Sequence, residues 1–109
     1  MQLNDHQIRE LVEESKADEV GLWFIVAKVR DELGISEPQS VRAVVMDTVQ
    51  RLLDSGEVIA GYYQRDGSGV AAWNLDTATV LTRINTEWDH LGRDPNIGEV
   101  VVFIGALSY

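Results

Sequence analysis

Leu52-Leu53-Asp54-Ser55-Gly56-Glu57-Val58-Ile59 is the stretch where the pattern of this chain changes. Before it, apolar residues recur every three or four positions, the period of a helix with one buried face. After it, they fall into short β-prone runs bounded by turn residues. Asp54-Ser55-Gly56 interrupts the two, with Gly56 placed to stop a helix. The chain therefore leaves a long helix and enters a strand almost at once.

Working back from that junction, Val41, Val44, Val45, Thr48, Val49, Leu52 and Leu53 share one face of a helix predicted over about Glu37 to Asp54. Ser36 and Gln39 read as its S-x-x-Q cap, and Pro38 lies in the first turn, where a missing N–H costs nothing. A second helix is predicted over about Glu19 to Leu33, with Asp18 as N-cap and Gly34 as the left-handed stop. Its wide face of Leu22, Trp23, Ile25, Val26, Val29 and Leu33 marks it as the central core helix. The first helix, about Asp5 to Ala17, buries a narrow stripe of Ile8, Leu11, Val12 and Ser15, and Asn4 with Gln7 forms a capping box.

Working forward, Val58 to Gln64 reads as a strand, Asp66-Gly67-Ser68-Gly69 as a tight turn and Val70 to Trp73 as the return strand. Strand alternation predicts that Tyr62 and Tyr63 face opposite ways, one into the core and one into solvent. A fourth helix is predicted over about Thr77 to Leu91, capped by Asp76 and stopped by Gly92, with Val80, Leu81, Ile84, Trp88 and Leu91 inward. Trp23 and Trp88 both read as core. Asp94-Pro95-Asn96 makes a loop, and Glu99 to Ile104 reads as a continuous apolar strand lying beside the hairpin. No repeat, linker or low-complexity tract divides the 109 residues, so one domain spans 1–109.

Charge and composition narrow the function classes. Eighteen acidic residues stand against nine basic ones, a net charge of −9. A phosphate backbone repels such a surface, which counts against nucleic acid and for a basic protein partner. Cysteine is absent, which removes disulfides and thiolate metal ligands and points to a reducing, cytoplasmic setting. No basic segment followed by an apolar run opens the chain, and no stretch approaches the ~20 apolar residues of a membrane helix.

Reactive groupings are sparse. His6 and His90 fit no two-histidine metal spacing, and the single Glu87/His90 pair falls short of what a diiron bundle requires. Gly67-Ser68-Gly69 is too short to be a nucleophile elbow. No catalytic, cofactor-binding or metal-binding residue is assigned, and the expectation is a binding protein, not an enzyme. The densest acidic cluster is Glu10, Glu13, Glu14, Asp18 and Glu19: a solvated helix face, or a patch that captures a basic partner. Tyr63 and Asp66 on the hairpin, with Glu87 and Asp89 on the fourth helix, complete the candidate contacts. A homodimer is compatible with the same reading.

The order helix, helix, helix, hairpin, together with the Leu52 to Ile59 junction, resembles a winged helix. The resemblance implies an α+β fold: a winged-helix-like three-helix core with a β-hairpin, a fourth helix and a C-terminal strand joining the hairpin. In DNA-binding members the third helix enters the major groove. Its outward face here, Gln39, Arg42, Ala43, Met46, Asp47, Gln50 and Asp54, carries about zero net charge, too little to dock on phosphates. A second resemblance covers most of the chain. Leu22-Trp23, the Leu52-Leu53 to Gly56 junction, Gly61-Tyr62, Trp73, Trp88, Pro95 and Gly98-Glu99-Val100-Val101 are similar in style and spacing to small acidic immunity proteins of bacterial contact-dependent growth inhibition and polymorphic toxin systems. That resemblance implies a protein that binds a cognate toxin domain, often a basic nuclease, and blocks it inside the producing cell. The competing expectation is a winged-helix transcriptional regulator, or a relative that has lost DNA binding.

Overall fold

The computed structural model describes residues 1–106. The fold is α+β, with four helices and a four-stranded antiparallel sheet. In chain order the elements are α1 (Asp5–Ala17), β1 (Val20–Gly21), α2 (Leu22–Leu33), α3 (Pro38–Asp54), β2 (Val58–Tyr63), β3 (Val70–Ala72), α4 (Thr77–Leu91) and β4 (Val102–Gly105). The sheet order is β1-β4-β2-β3, so the last strand is inserted between the first and the hairpin.

Capping chemistry sets most helix boundaries. Asn4 and Gln7 satisfy each other's backbone N–H groups in a reciprocal box at the start of α1. The Asp76 carboxylate accepts from the Thr79 N–H at 2.8 Å and starts α4. Gly34 and Gly92 close α2 and α4 with φ of 63° and 66°, a region where a Cβ would be penalised. At α3 the cap differs from expectation. Glu37, not Ser36, is the N-cap residue, and its carboxylate accepts from the Ser40 N–H, which holds the Glu37 pKa below its ordinary value. The cap is thereby shifted by one residue, and the donor it satisfies is the Ser40 N–H in place of that of Gln39.

Three other expectations are corrected. The second helix begins at Leu22 with Gly21 as N-cap, and not at Glu19 after Asp18. Val20 and Gly21 instead pair antiparallel with Phe103 and Val102. Strand β4 begins at Val102, not Glu99, because Val100 adopts φ 69° and breaks the extended run. A β-branched residue in that region is strained by roughly 1–3 kcal/mol. Its neighbour Glu99 is pinned, accepting from both Arg93 terminal nitrogens at 2.7 and 2.8 Å and from the Asn96 N–H at 2.7 Å. Finally, Tyr62 and Tyr63 are both exposed, at 39% and 40%. Alternation still holds, but at this end of β2 neither face is covered by a helix-packed core.

The core lies between the inner face of the sheet and the helices. Val58 and Ala60 of β2, Phe103 of β4 and Val20 of β1 meet Leu11 and Val12 of α1, Ile25 and Val29 of α2, and Val45, Val49 and Leu52 of α3. Buried hydroxyls are satisfied within their own helices: Ser15 Oγ donates to the Val12 carbonyl and Thr48 Oγ1 to the Val44 carbonyl. Helix α4 packs against α3 through Val80, Ile84 and Trp88. Trp88 is core, as its spacing predicts, but Trp23 is not. It is half-buried and packs edge-on to Phe24 at 5.8 Å, outside the central cluster.

Candidate interaction surface

The sequence places its candidate contacts on three elements, and the structure keeps most of them apart. On α1, Glu13 pairs with Arg9, and Glu10 lies 3.6 Å from Lys28 of α2. On α4, Glu87 pairs with Arg83 at 3.2 Å and Asp89 with Arg42 of α3 at 2.8 Å. Asp66 is spent on the hairpin turn, where its carboxylate accepts from the Ser68 N–H. Each of these five already has a partner in the fold. Glu14 has no cation within ion-pair distance among the described residues, and with Glu10 and Glu13 it lines an open groove between α1 and α2 that Leu11, Ala17 and Phe24 floor.

Two predicted contacts from different elements also come together. Asp18 leaves the end of α1, and Tyr63 stands at the end of β2. Glu19 joins them, accepting from the Tyr63 hydroxyl at 3.2 Å. Partial burial raises the Tyr63 pKa, and the Glu19 and Asp18 charges raise it further, so the phenol stays a donor. The Tyr62 ring packs edge-on at 5.8 Å from that of Tyr63, and its hydroxyl donates to the Gly98 carbonyl. Asp18 and Glu19 meet no cation among the described residues. Sequence reasoning placed Glu19 in a helix and Tyr62 in the alternative core position. The signal that could have found them is the Val20 pairing to β4, a non-local contact.

Cations are almost wholly committed inside the fold. Every lysine and arginine except Arg65 takes part in an ion pair among the described residues. The densest network ties α1 to the start of β2: Glu57 accepts from Arg9 at 2.6 and 3.0 Å and from Lys16 at 2.6 Å. Hydrogen bonds from Arg9 and then Lys16 hold the Glu57 carboxyl down at about 2, and those from Arg93 and Asn96 hold Glu99 at about 2, against an ordinary 4.5. Both folded values are depressed, so their stabilisation is complete above about pH 4.5 and is lost as pH falls towards 2. The thermal midpoint should therefore fall steadily between pH 4.5 and 2.5. In Glu57→Gln the fall should be shallower, because one of the two most strongly depressed carboxylates is gone. A melt series showing the same slope for both proteins would dissociate Glu57 from the effect.

Arg42 determines what the outer side of α3 can do. Its guanidinium donates to the Asn85 side chain and carbonyl of α4 at 2.8–3.1 Å and lies 4.8 Å from the centre of the Trp88 ring. Together with the Asp89 pair, these contacts hold it against α4. No three His, Cys, Asp or Glu side chains converge as a metal site would need among the described residues. No helix among the described residues is long and apolar enough to cross a membrane. Compared with family models, curated proteins and solved structures, the chain matches none.

Proposed function

We propose that this chain is an immunity-type binding protein that neutralises a cognate toxin domain by occluding its active site, acting in the cytoplasm of the producing cell and without turnover. The expected toxin is basic, a nuclease being the foremost class. The observation that carries this reading is the asymmetry of charge use: among the described residues every cation but Arg65 is consumed within the fold, while Glu14, Asp18, Glu19, Asp31 and Asp54 meet none. Such a surface attracts and orients a cationic protein and accelerates encounter. The regulator reading has less behind it, because α4 engages the one cation on the outward face of α3. A groove-binding helix needs that face free and basic.

The test is co-expression with the polypeptide encoded immediately upstream of this chain in its native genome. The neighbour is expected to be toxic alone, harmless with this chain, and to co-purify with it. A neighbour that is harmless by itself and fails to co-purify overturns the proposal. Duplex binding in a low-salt gel shift would return the regulator to first place.

A further inference from the structure

The pairing register divides the sheet into two faces. Val20, Phe103, Ala60 and Val58 point inward to α1 and α3; the residues between them, Gly21, Val102, Gly61 and Ile59, point outward. The same outward row continues through Ile104, opposite Ile59, and through Tyr63 and Val70, opposite each other on the hairpin. This face is apolar, and it is separate from the core. Val102 is fully buried yet lies outside the central cluster, and Trp23, Ile59, Val70 and Ile104 are half-exposed and do not pack against that cluster either.

Two glycines explain how Val102 is covered. A Cβ on Gly21 would stand 2.6 Å from the Trp23 ring, and one on Gly61 would stand 2.4 Å from the Ala71 carbonyl and 2.9 Å from a Val70 methyl. Trp23 therefore folds back over one glycine and Val70 leans over the other, flanking Val102 between them. The result is an apolar patch in which the exposed Tyr63 and the half-buried Trp23 and Val70 surround the buried Val102, and whose end carries Asp18 and Glu19, the latter accepting from the Tyr63 hydroxyl.

Resting on the binding reading above, we infer that this outward sheet face is the surface the chain presents to its protein partner, and that the partner offers it an apolar segment flanked by lysine or arginine. Trp and Tyr are the residues that most often anchor interfaces, and this face presents an exposed Tyr63 beside a half-buried Trp23. Charge complementarity identifies the occupant. Among the described residues Asp18 and Glu19 both lack a cation and stand beside the apolar face, whereas on α1 only Glu14 is free and its neighbours Glu10 and Glu13 would first have to leave Lys28 and Arg9. A second copy of this chain fits poorly, since each carries −9 and both would bring the same acidic rim.

The experiment is calorimetric titration of the upstream-encoded polypeptide into wild type, Tyr63→Ala, Ile104→Glu, the double charge reversal Asp18→Lys/Glu19→Lys, and Glu10→Lys/Glu14→Lys on the α1 groove, each first checked for an unchanged circular dichroism spectrum. The three sheet-face variants should bind at least tenfold more weakly, with the α1 variant within threefold of wild type. Tyr63→Ala alters an exposed side chain and so reads the surface even if Ile104→Glu unfolds. Sheet-face variants at wild-type affinity with a weakened α1 variant would overturn the surface and leave the binding reading standing. No heat with wild type would overturn both. A dimer in sedimentation equilibrium that Tyr63→Ala dissolves would show a second copy on this face, and would likewise overturn the inference.

Discussion

Replacing Phe103 by alanine should destabilise the protein by about 3–5 kcal/mol, the range for truncating a buried aromatic. Phe103 is fully buried and ranks first by volume among the fully enclosed side chains. It sits in the middle strand pairings, opposite Val20 of β1 and opposite Ala60 of β2. The helices seated on the inner face meet around it, so the cavity left by truncation has little freedom to collapse. For a domain whose total stability is about 5–15 kcal/mol, such a loss removes a large part of it. Urea unfolding followed by far-ultraviolet circular dichroism would show a lower midpoint with an unchanged slope. A midpoint equal to that of wild type would mean that β4 does not organise the core.

The second large effect is expected at Trp88. Trp88→Ala should cost about 3–5 kcal/mol, and it should act on the α3–α4 interface in particular. Trp88 is 4% exposed, belongs to the central cluster and lies under the Arg42 guanidinium, which also holds Asn85 and Asp89. Removing the ring takes away both apolar burial and the platform that fixes Arg42. Two Arg42 contacts to α4 remain, the Asn85 hydrogen bonds and the Asp89 ion pair, but the latter is exposed and contributes little alone. Hydrogen exchange should therefore accelerate most in α4, and α1 should be least affected. Uniform acceleration across the chain would show that α4 does not unfold as a separate unit.

The acid sensitivity tied to Glu57 and Glu99 belongs to the same picture. In both cases a carboxylate fixes a junction at the edge of the core: the start of β2 against α1, next to Val58, and the loop that precedes β4, next to Val100 and Val101. The strained Val100 lies directly beside the second of these anchors. Its cost is compensated by neighbours on both sides, Glu99 through Arg93 and Val101 through a backbone bond to the Glu99 carbonyl.

What the sequence determined by itself was most of what is local in origin, the caps of α2 and α3 excepted. Helical spacing, the Asn4–Gln7 box, the Asp76 cap and the glycine stops set α1 and α4 at the boundaries expected, because caps and periodicity act within a few residues. The Asp66-Gly67 turn set the hairpin for the same reason. The tertiary structure alone decided what depends on distant pairing. Val20–Gly21 is a strand because β4 lies beside it, though its local pattern continues that of a helix. Trp23 faces away from the core because that strand places Gly21 under its ring. Of the candidate contacts, Asp18 and Tyr63 became neighbours only through the sheet, whereas Glu10 and Asp89 were claimed by cations remote in sequence, and Glu13 and Glu87 by arginines one turn earlier on their own helices. Spacing along a chain reveals which side chains share a face of one element. Which faces then meet, and which charges are left over, is fixed by contacts between residues dozens of positions apart, and no local signal carries that information.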